Sequence, residues 1–442
     1  MVKPTQSGSL CVRLSRQLAK RVQKRTRARC VRALYAWMVY RTDTRMATHT
    51  RAGFQMPTQF EYGYDSLSAL SPYLDTHSID SALLVTDQRL EATGIIDTVI
   101  EQLVQTNIDI SIFKDVTTEP TFDIARRAVD RVEAEDVEVV IGLGGGSVLD
   151  TAKTASIVSQ APKSLTELLG FQTIPNPGLP LVLIPTTAGT GSEVSNGAVL
   201  TDNQEGYKHV LIDDHLFADL SIVDPALTES LPSPVAASTG ADALTHAIEA
   251  YVTTERTPMT DMLCLDAIER IGDGYLPAVT ANERDARYKM SLAASHAGMA
   301  FTNAGLGAVH ALTYPVGMQF HLGHGLVNGL LLPYVMQYNV TQVPERYSDI
   351  GDAIGAFESP PETAIDAGYQ TVEYVHSLLE AAGLPTAIKT VVDAPNPDFE
   401  EFSDIALEYS THNIENNPRQ LGKTRMIAIF EAAFEGDLQM VP

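Results

Sequence analysis

The chain contains few of the residues from which disulfide frameworks and cysteine-based metal sites are built. Its 442 residues include three cysteines, Cys11, Cys30 and Cys264, and a single tryptophan. Three widely spaced cysteines support neither a disulfide scaffold nor a zinc site made of thiolates. No apolar run approaches the roughly 18 residues that a membrane span needs. With 44% hydrophobic residues, the sequence predicts a soluble globular protein of the reducing cytoplasm, long enough for two domains.

Basic residues are also scarce, and their distribution along the chain is uneven. Residues 1–51 contain 13 of the 31 lysines and arginines and one acid, Asp43. Residues 52–442 therefore carry 18 basic and 54 acidic side chains, a net charge of −36. Such a charge disfavours a duplex nucleic acid as partner. It is typical of proteins that work in concentrated salt, where screening relieves self-repulsion, so we predict a halophilic protein. An acidic partner-binding face would require clustered charge, and the acids are spread along the chain.

The first 55 residues form a basic extension with a different composition from the rest. Three interpretations compete: an organellar transit peptide, a nucleic-acid-binding tail, or translated upstream sequence with the true start at Met46 or Met56. The abrupt change in composition before FQMPTQFEYG favours the third. We therefore exclude residues 1–55 from the fold prediction.

Apolar runs and amphipathic segments alternate between residues 81 and 200. SALLVTD, IDISIFKDV, VEVVIGLGGGS and PLVLIPTT are typical of buried strands, and FDIARRAVDRVEAEDV and TAKTASIVSQ of helices. GAVLTDNQEGYKHVLID predicts a β-hairpin that turns between Asn203 and Gly206. Alternation of strands and helices indicates a doubly wound, mostly parallel sheet. Strand-like runs disappear after Leu231, so we predict an α/β domain over residues 56–230 and an all-α domain over residues 231–442.

A glycine-rich segment follows the third of these strands. GLGGGSVLD (residues 142–150) places Gly144, Gly145, Gly146 and Ser147 between a strand and a helix. Glycines let the backbone approach a phosphate, and a helix N-terminus supplies N–H groups and a positive dipole. Close packing of the strand and helix is the alternative explanation. The spacing is neither G-x-G-x-x-G nor that of a Walker loop.

Two further features follow strands in the same half. PTTAGTGSE (residues 185–193) offers the hydroxyls of Thr186, Thr187 and Thr190, which suit a nucleotide, although an ordinary turn of small residues has the same composition. Asp87 follows the first strand, where a carboxylate accepts from a ribose hydroxyl and repels a 2′-phosphate. A helix N-cap is the alternative role for Asp87.

The helical half contains the residues best suited to bind a metal. Asp242 and His246 are four residues apart in GADALTHAIEAY and therefore share one face of a helix. His310 and His324 follow in VHALTYPVGMQFHLGHG. One aspartate and three histidines form a mixed oxygen and nitrogen ligand set that suits iron or zinc. An Asp-x-x-x-His pair also occurs by chance on apolar helices, and the second group of histidines favours a metal.

Together these segments resemble the iron-containing (group III) alcohol dehydrogenase family over about residues 56–440. The resemblance rests on GGGSxxDxxK at residues 144–153, on PTTAGTGSE, on GxDALTHAxEAY and on the later histidines. It implies that residues 56–230 bind a nicotinamide cofactor and that residues 231–442 hold the metal. The implied metal ligands are Asp242, His246, His310 and His324. The implied cofactor-binding residues are Asp87 at the ribose, Gly144, Gly145, Gly146, Ser147, Asp150, Thr186, Thr187, Thr190, Lys208, and Leu227 near the adenine.

The resemblance implies reversible hydride transfer between a small alcohol and its aldehyde or ketone. The expected metal is Fe²⁺, with Zn²⁺ as the alternative, and Asp87 favours NAD over NADP. The expected partner is a small-molecule alcohol, aldehyde or hydroxy acid, in a homodimer or larger homo-oligomer with no nucleic-acid or membrane partner.

One position departs from the family pattern. Many members carry a histidine four residues after the third metal ligand, where this chain has Tyr314. The hydroxyacid–oxoacid transhydrogenase branch has a similar Tyr-Pro, so that reaction is one alternative. The other is a substitution without functional consequence at a position that contacts the ligands and not the metal. A dehydroquinate-synthase-type lyase would display more basic residues in the helical half. A nucleotide-binding protein without catalytic activity would hold no metal.

Overall fold

The computed structural model describes residues 52–104, 106, 108–117, 119–202, 207–392 and 397–442. Residues 1–51 of the predicted basic extension lie outside these ranges, as does the tip of the predicted hairpin, residues 203–206. Phe54–Pro442 forms one compact unit. In the described ranges, no helix is both long and apolar enough to cross a membrane.

The described residues of the first half form two sheets. The strands are β1 (Gln59–Tyr62), β2 (Ser81–Val85), β3 (Asp109–Phe113), β4 (Val139–Gly144), β5 (Gly170–Phe171), β6 (Leu181–Pro185), β7 (Gly197–Asp202), β8 (Tyr207–Ile212) and β9 (Leu220–Val223). The larger sheet has the order β1-β9-β6-β4-β2-β3, and all its neighbours run parallel. From β2 the chain adds β3 on one side of the sheet and then β4, β6 and β9 on the other, so the strand order reverses between β2 and β4. Open sheets of this kind bind ligands outside the carboxyl ends of the strands at that point.

Helices cover the larger sheet, whose central strands are buried along their length. The helices of this half are α1 (Leu70–Thr76), α2 (Ile95–Val104), α3 (Phe122–Glu135) and α4 (Gly146–Val158). Successive strand residues point to opposite faces. Leu84 and Ile141 therefore belong to one apolar cluster, and Leu83 and Val140 belong to another. Because both faces of the sheet are buried, the sequences of these strands are continuous apolar runs. The predicted doubly wound sheet is confirmed.

The smaller sheet contains the predicted hairpin. Its order is β5-β8-β7, and β7 pairs antiparallel with β8, with Val199 opposite Val210. The two strands of the hairpin are confirmed. They place Lys208 on β8, where its side chain pairs with Glu119 in the segment that follows β3.

Helices make up the rest of the described chain, where no strand follows β9. They are α5 (Ser233–Val252), α6 (Pro258–Thr280), α7 (Arg284–Ala304), α8 (Ala308–Phe320), α9 (His324–Asn339), α10 (Pro344–Ile354), α11 (Ala364–Ala381), α12 (Phe399–Tyr409), α13 (Thr411–Asn416) and α14 (Lys423–Glu435). Helix α5 is rich in alanine and packs against α6, α7 and α9 at the centre of one large apolar cluster. The small side chains allow close approach of these helices and bring the ligand-bearing faces of α5, α8 and α9 together.

Candidate metal and cofactor site

The four residues predicted to bind a metal come together in the structure. Asp242 and His246 project from α5, His310 from α8, and His324 is the first residue of α9. One ligand atom from each lies within 4.8 Å of the others. The rings of His246 and His310 stack with centroids 4.9 Å apart. We call these four residues the metal cluster.

Burial and charge prepare the metal cluster to accept a cation. Burial alone would raise the pKa of Asp242, but the three neighbouring imidazoles and the Asn328 amide outweigh it and hold the pKa below its usual range. Burial lowers the pKa of His246. At neutral pH the aspartate is therefore ionised and this imidazole is neutral, which are the forms that bind metal. The His324 side chain is 45% exposed, so the cluster is open on that side.

Asn328 shows that the ligand atoms converge on one point. Its Nδ2 lies 2.7 Å from Asp242 Oδ1 and 3.1 Å from the Nε2 atoms of both His310 and His324. Its Oδ1 accepts a 2.6 Å hydrogen bond from the Thr313 hydroxyl, which fixes the amide orientation. Since one carboxylate oxygen and two ring nitrogens lie within 3.1 Å of one small group, the donor set fits a single cation such as zinc or iron.

Two residues that contact the metal cluster, Asn328 and Glu249, were not predicted from the sequence. Asn328 lies four residues after His324 on an apolar helix, and that spacing was the available signal. Glu249 lies three residues after His246, in the same HAIEAY segment. Its Oε2 lies 2.6 Å from His310 Nδ1.

The glycine loop (residues 144–147) lies at the carboxyl end of β4, where the order of the sheet reverses. Helix α4 begins at Gly146, so its N-terminus faces the space above the sheet. A Cβ at Gly146 would lie 2.7 Å from Thr190 Cγ2, so glycine is needed for the two loops to meet. Close packing is therefore observed at Gly146, and phosphate binding at the N-terminus of α4 stays a prediction.

The threonine loop (residues 185–193) connects the glycine loop to the metal cluster. At one end, the Thr186 amide donates a 3.0 Å hydrogen bond to Gly144 O. Further along, Gly189 O lies 3.3 Å from His246 Nδ1. A Cβ at Gly189 would lie 2.7 Å from Thr239 of α5. The loop is thus packed directly on the helix that carries two of the predicted ligands.

Lys153 is buried on α4, Asp150 is half-buried on the same helix, and both side chains hold the surrounding backbone. Asp150 accepts hydrogen bonds from the Ser192 hydroxyl at 2.7 Å and from the Val199 amide at 3.0 Å. Burial raises the pKa of Asp150, against the opposing charge of Lys153. Lys153 is fully buried and donates to the carbonyls of Ser195 and Gly197. Burial lowers the pKa of Lys153 to about 8.

Asp87 and Leu227 lie at the adenosine end of the predicted cofactor site. Asp87 is buried and accepts a 2.8 Å hydrogen bond from the Arg89 amide, so it caps the short helix that follows β2. The Arg89 side chain also pairs with it at 3.1 Å. The N-cap role is thus observed, and the ribose contact stays a prediction. Leu227 is buried in the apolar cluster on one face of the sheet.

Lys208 and Tyr314 meet between the hairpin and the metal helices. The Lys208 amide donates a 2.5 Å hydrogen bond to the hydroxyl of Tyr314, which lies one turn after His310 on α8. The ammonium of Lys208 pairs with Glu119 at 3.3 Å. The structure therefore places the lysine predicted at the cofactor beside the helix that carries a predicted metal ligand.

Comparisons with known proteins agree with this geometry. Residues 57–225 match the family model described as iron-containing alcohol dehydrogenase, and residues 236–434 match its C-terminal counterpart. The chain is 37% identical over 386 residues to long-chain-alcohol dehydrogenase 1 of Geobacillus thermodenitrificans, covering 86% of this chain and 96% of that protein.

Solved structures show the same fold. A crystal structure of a 1,3-propanediol oxidoreductase superposes with a TM-score of 0.84 at 32% identity, covering 87% of this chain and 100% of the other. A sulfoacetaldehyde reductase from Bifidobacterium kashiwanohense, in complex with NAD⁺, superposes with a TM-score of 0.77 at 25% identity, covering 87% and 99%. The matches include both the sheet that carries the glycine loop and the helices that carry the metal cluster, and the chain therefore belongs to the iron-containing alcohol dehydrogenase family.

Proposed function

We propose that this protein is a metal-dependent alcohol dehydrogenase that interconverts a small alcohol and its aldehyde or ketone by reversible hydride transfer. The observation that carries the proposal is the contact between Gly189 of the threonine loop and His246 of the metal cluster. It brings the predicted cofactor site and the predicted metal site to the two sides of one loop. A hydride donor and a substrate oxygen held at these two places would lie next to each other.

The metal cluster would hold Fe²⁺, or Zn²⁺ as the alternative, through Asp242, His246, His310 and His324. When bound, the metal would polarise the substrate oxygen as a Lewis acid, and the nicotinamide would exchange the hydride. Among the chain's own groups, Asp242 supplies the negative charge and the imidazoles supply neutral nitrogen ligands. The 45% exposure of His324 leaves that side of the cluster open to substrate.

The cofactor would lie along the carboxyl ends of β2, β4 and β6. The N-terminus of α4 is suited to the pyrophosphate, because its dipole and N–H groups favour an anion. The residues proposed to line the cofactor are Asp87, Gly144, Gly145, Gly146, Ser147, Asp150, Thr186, Thr187, Thr190, Lys208 and Leu227. Asp150 would affect the cofactor indirectly, by holding Ser192 and β7 in place, since its two oxygens accept from the Ser192 hydroxyl and the Val199 amide.

The proposed cofactor is NAD rather than NADP. Asp87 follows β2, and from there its carboxylate would accept from the ribose and repel a 2′-phosphate. Arg89, which could otherwise attract that phosphate, pairs with Asp87.

The charge of Lys208 bears on the choice of substrate. Its ammonium is paired with Glu119, so its positive charge is already balanced. An unmatched cation beside the substrate would favour the carboxylate of a hydroxy acid, and the pairing of Lys208 with Glu119 therefore favours uncharged alcohols. The Tyr314-Pro315 sequence is the feature that favours the second candidate, a transhydrogenase acting on hydroxy acids and oxo acids.

The test is a panel of alcohols and hydroxy acids, assayed in molar salt after removal of metal and reloading with Fe²⁺ or Zn²⁺. Formation of reduced nicotinamide with at least one alcohol is expected, and its failure with every alcohol would overturn the proposal. Turnover of a hydroxy acid with an oxo acid, without added cofactor, would support the second candidate. His246→Ala should abolish metal-dependent turnover. Asp349→Asn should not, because Asp349 lies on α10 and bonds to Tyr251 of α5, away from the metal cluster.

We propose two domains that meet near residue 230, because the last strand of the sheet ends at Val223 and α5 begins at Ser233. The charge of −36 over residues 52–442 supports work in a salt-rich cytoplasm without nucleic-acid or membrane partners. A homodimer or larger homo-oligomer is proposed from the resemblance to the family.

A further inference from the structure

Glu249 is a buried carboxylate whose two oxygens both contact the first turn of α8. It projects from α5 and is 3% exposed. Oε1 accepts a 2.6 Å hydrogen bond from the Val309 amide, and Oε2 lies 2.6 Å from His310 Nδ1. A Cβ at Gly307 would lie 2.9 Å from Oε1, so a glycine there leaves room for the carboxylate. The free N–H groups and positive dipole of a helix N-terminus favour an anion at this place.

The contact with Glu249 determines which nitrogen of His310 carries the proton. An ionised carboxylate only accepts hydrogen bonds, so Nδ1 of His310 must be protonated. Nε2 of the same ring then carries the lone pair, and it points at the Asn328 amide between Asp242 and His324. A histidine that binds a metal through Nε2 commonly donates its other N–H to a carboxylate in this way.

We propose that Glu249 is a positioning residue that holds His310 in the tautomer and orientation required to bind the metal. The proposal rests on the proposed function only in taking the metal cluster as a metal site. Because Glu249 also accepts from the Val309 amide, it fixes the helix start and the imidazole together. It acts on the metal through His310, since its two oxygens are engaged by the Val309 amide and by His310 Nδ1 on α8.

A glutamine cannot replace Glu249 in this role. The glutamine side chain has one oxygen that accepts and one nitrogen that donates. If its oxygen accepts from Val309, its NH₂ faces Nδ1 of His310 and selects the other tautomer, with the proton on Nε2. If its oxygen accepts from His310, the NH₂ faces the Val309 N–H. Glu249→Gln therefore keeps the size of the side chain, and it either reverses the hydrogen bond with His310 or loses the one with Val309.

The experiment measures metal affinity, independently of turnover, on the full chain. Zn²⁺ affinity is determined by chelator competition for the wild type, Glu249→Gln and His310→Ala. Glu249→Gln should weaken Zn²⁺ binding about 10- to 100-fold, the usual loss when such a partner is removed. Asp349→Asn is the matched control, because Asp349 bonds to Tyr251 two residues after Glu249 on α5. The control should bind Zn²⁺ within about twofold of the wild type, as expected for a surface substitution.

A double-mutant cycle distinguishes positioning from a general structural role. If Glu249 acts through His310, adding Glu249→Gln to His310→Ala should cause little further loss of affinity. Full additivity of the two losses, or wild-type affinity in Glu249→Gln, would overturn the proposal. A wild-type protein that binds no Zn²⁺ would instead contradict the proposed function.

A second measurement is made on the wild type and covers the case in which Glu249→Gln does not fold. Long-range ¹⁵N–¹H spectra of the Zn²⁺-loaded wild type, labelled on histidine, report the tautomer of each ring. His310, assigned by its loss in His310→Ala, should show a proton on Nδ1. An unprotonated Nδ1 on His310 would overturn the proposal whatever the variants do.

Discussion

The hydroxyl of Tyr314 accepts a 2.5 Å hydrogen bond from the backbone amide of Lys208. Tyr314 lies on α8, one turn beyond His310, and Lys208 lies on β8 of the smaller sheet. A single side chain therefore connects the helix that carries a predicted metal ligand to the hairpin that carries a predicted cofactor contact. The family's usual histidine at this position is replaced by a residue that reaches across to the hairpin.

Replacing Tyr314 with phenylalanine should loosen the hairpin. The substitution removes the acceptor of the Lys208 amide and keeps the ring. A neutral hydrogen bond contributes about 1 kcal/mol, so exchange of the Lys208 amide should accelerate about fivefold. We expect the KM for NAD to rise by a similar factor. Hydrogen–deuterium exchange of peptides that contain β8, together with kinetics at varied NAD, measures both effects. Tyr369→Phe on α11 serves as the control, and unchanged exchange at Lys208 in Tyr314→Phe would contradict this role.

Replacing Asp87 with serine should shift cofactor preference towards NADP. Serine keeps an N-cap acceptor, so the short helix after β2 stays capped. The substitution removes the charge that repels a 2′-phosphate and frees Arg89 from its ion pair. We expect the ratio of kcat/KM for NADP to that for NAD to rise at least about tenfold, since hydrogen bonds between charged groups contribute about 1.5–3 kcal/mol. Asp97→Asn, on α2, is the matched control at the same ionic strength. A ratio that does not change would place the adenosine ribose away from Asp87.

The buried Lys153 should make stability depend on pH in the alkaline range. Its pKa falls from 10.5 to about 8, mainly through burial. Between these values the unfolded chain binds more protons than the folded chain, so the free energy of unfolding rises as pH increases from about 8 to about 10.5. A pKa shift of this size corresponds to a change of about 3 kcal/mol in the free energy of unfolding.

Lys153→Met removes this contribution. Urea titrations at constant salt, between about pH 7.5 and pH 10.5, should show the wild type gaining about 3 kcal/mol relative to the variant. Parallel pH profiles of the two proteins would show that Lys153 titrates normally in the folded chain.

Salt should stabilise the folded state of residues 52–442, which are strongly acidic. Residues 52–442 carry a net charge of −36, and the Debye length falls from about 30 Å at 0.01 M to about 3 Å at 1 M. We expect the Tm to rise as NaCl is added over this range, because screening reduces repulsion between carboxylates. Sucrose at matched osmolality separates screening from general exclusion of solutes. A Tm that is flat in NaCl, or that rises equally in sucrose, would contradict adaptation to salt.

The sequence predicted the parts of the fold that have a strong local pattern. β2, β4 and β6 are apolar runs because both of their faces are buried, and each was predicted. β1 and β9 have four residues each, too few to show a period. They form strands because β9 pairs with β6 and β1 pairs with β9 at one side of the sheet. Their existence depends on tertiary contacts that local patterns do not encode.

The same distinction applies to the candidate site. Asp242 and His246 share a helical face, so their proximity follows from spacing alone. The contact of Glu249 with His310 joins residues 61 positions apart and depends on how α5 crosses the start of α8. Burial of Lys153 depends on where β7 crosses α4, since its carbonyl partners lie more than 40 residues away. Contacts of this kind can be identified only in the folded structure, because local sequence patterns do not encode them.

The position of Gly189 has a thermodynamic consequence. Its backbone is held against Thr239 on one side, and its carbonyl faces His246 on the other. An ion that orders His246 and a nucleotide that orders the threonine loop would therefore each favour the same arrangement of one short backbone segment. Any coupling free energy that results is shared, so a gain in nucleotide affinity on metal binding must equal the gain in metal affinity on nucleotide binding.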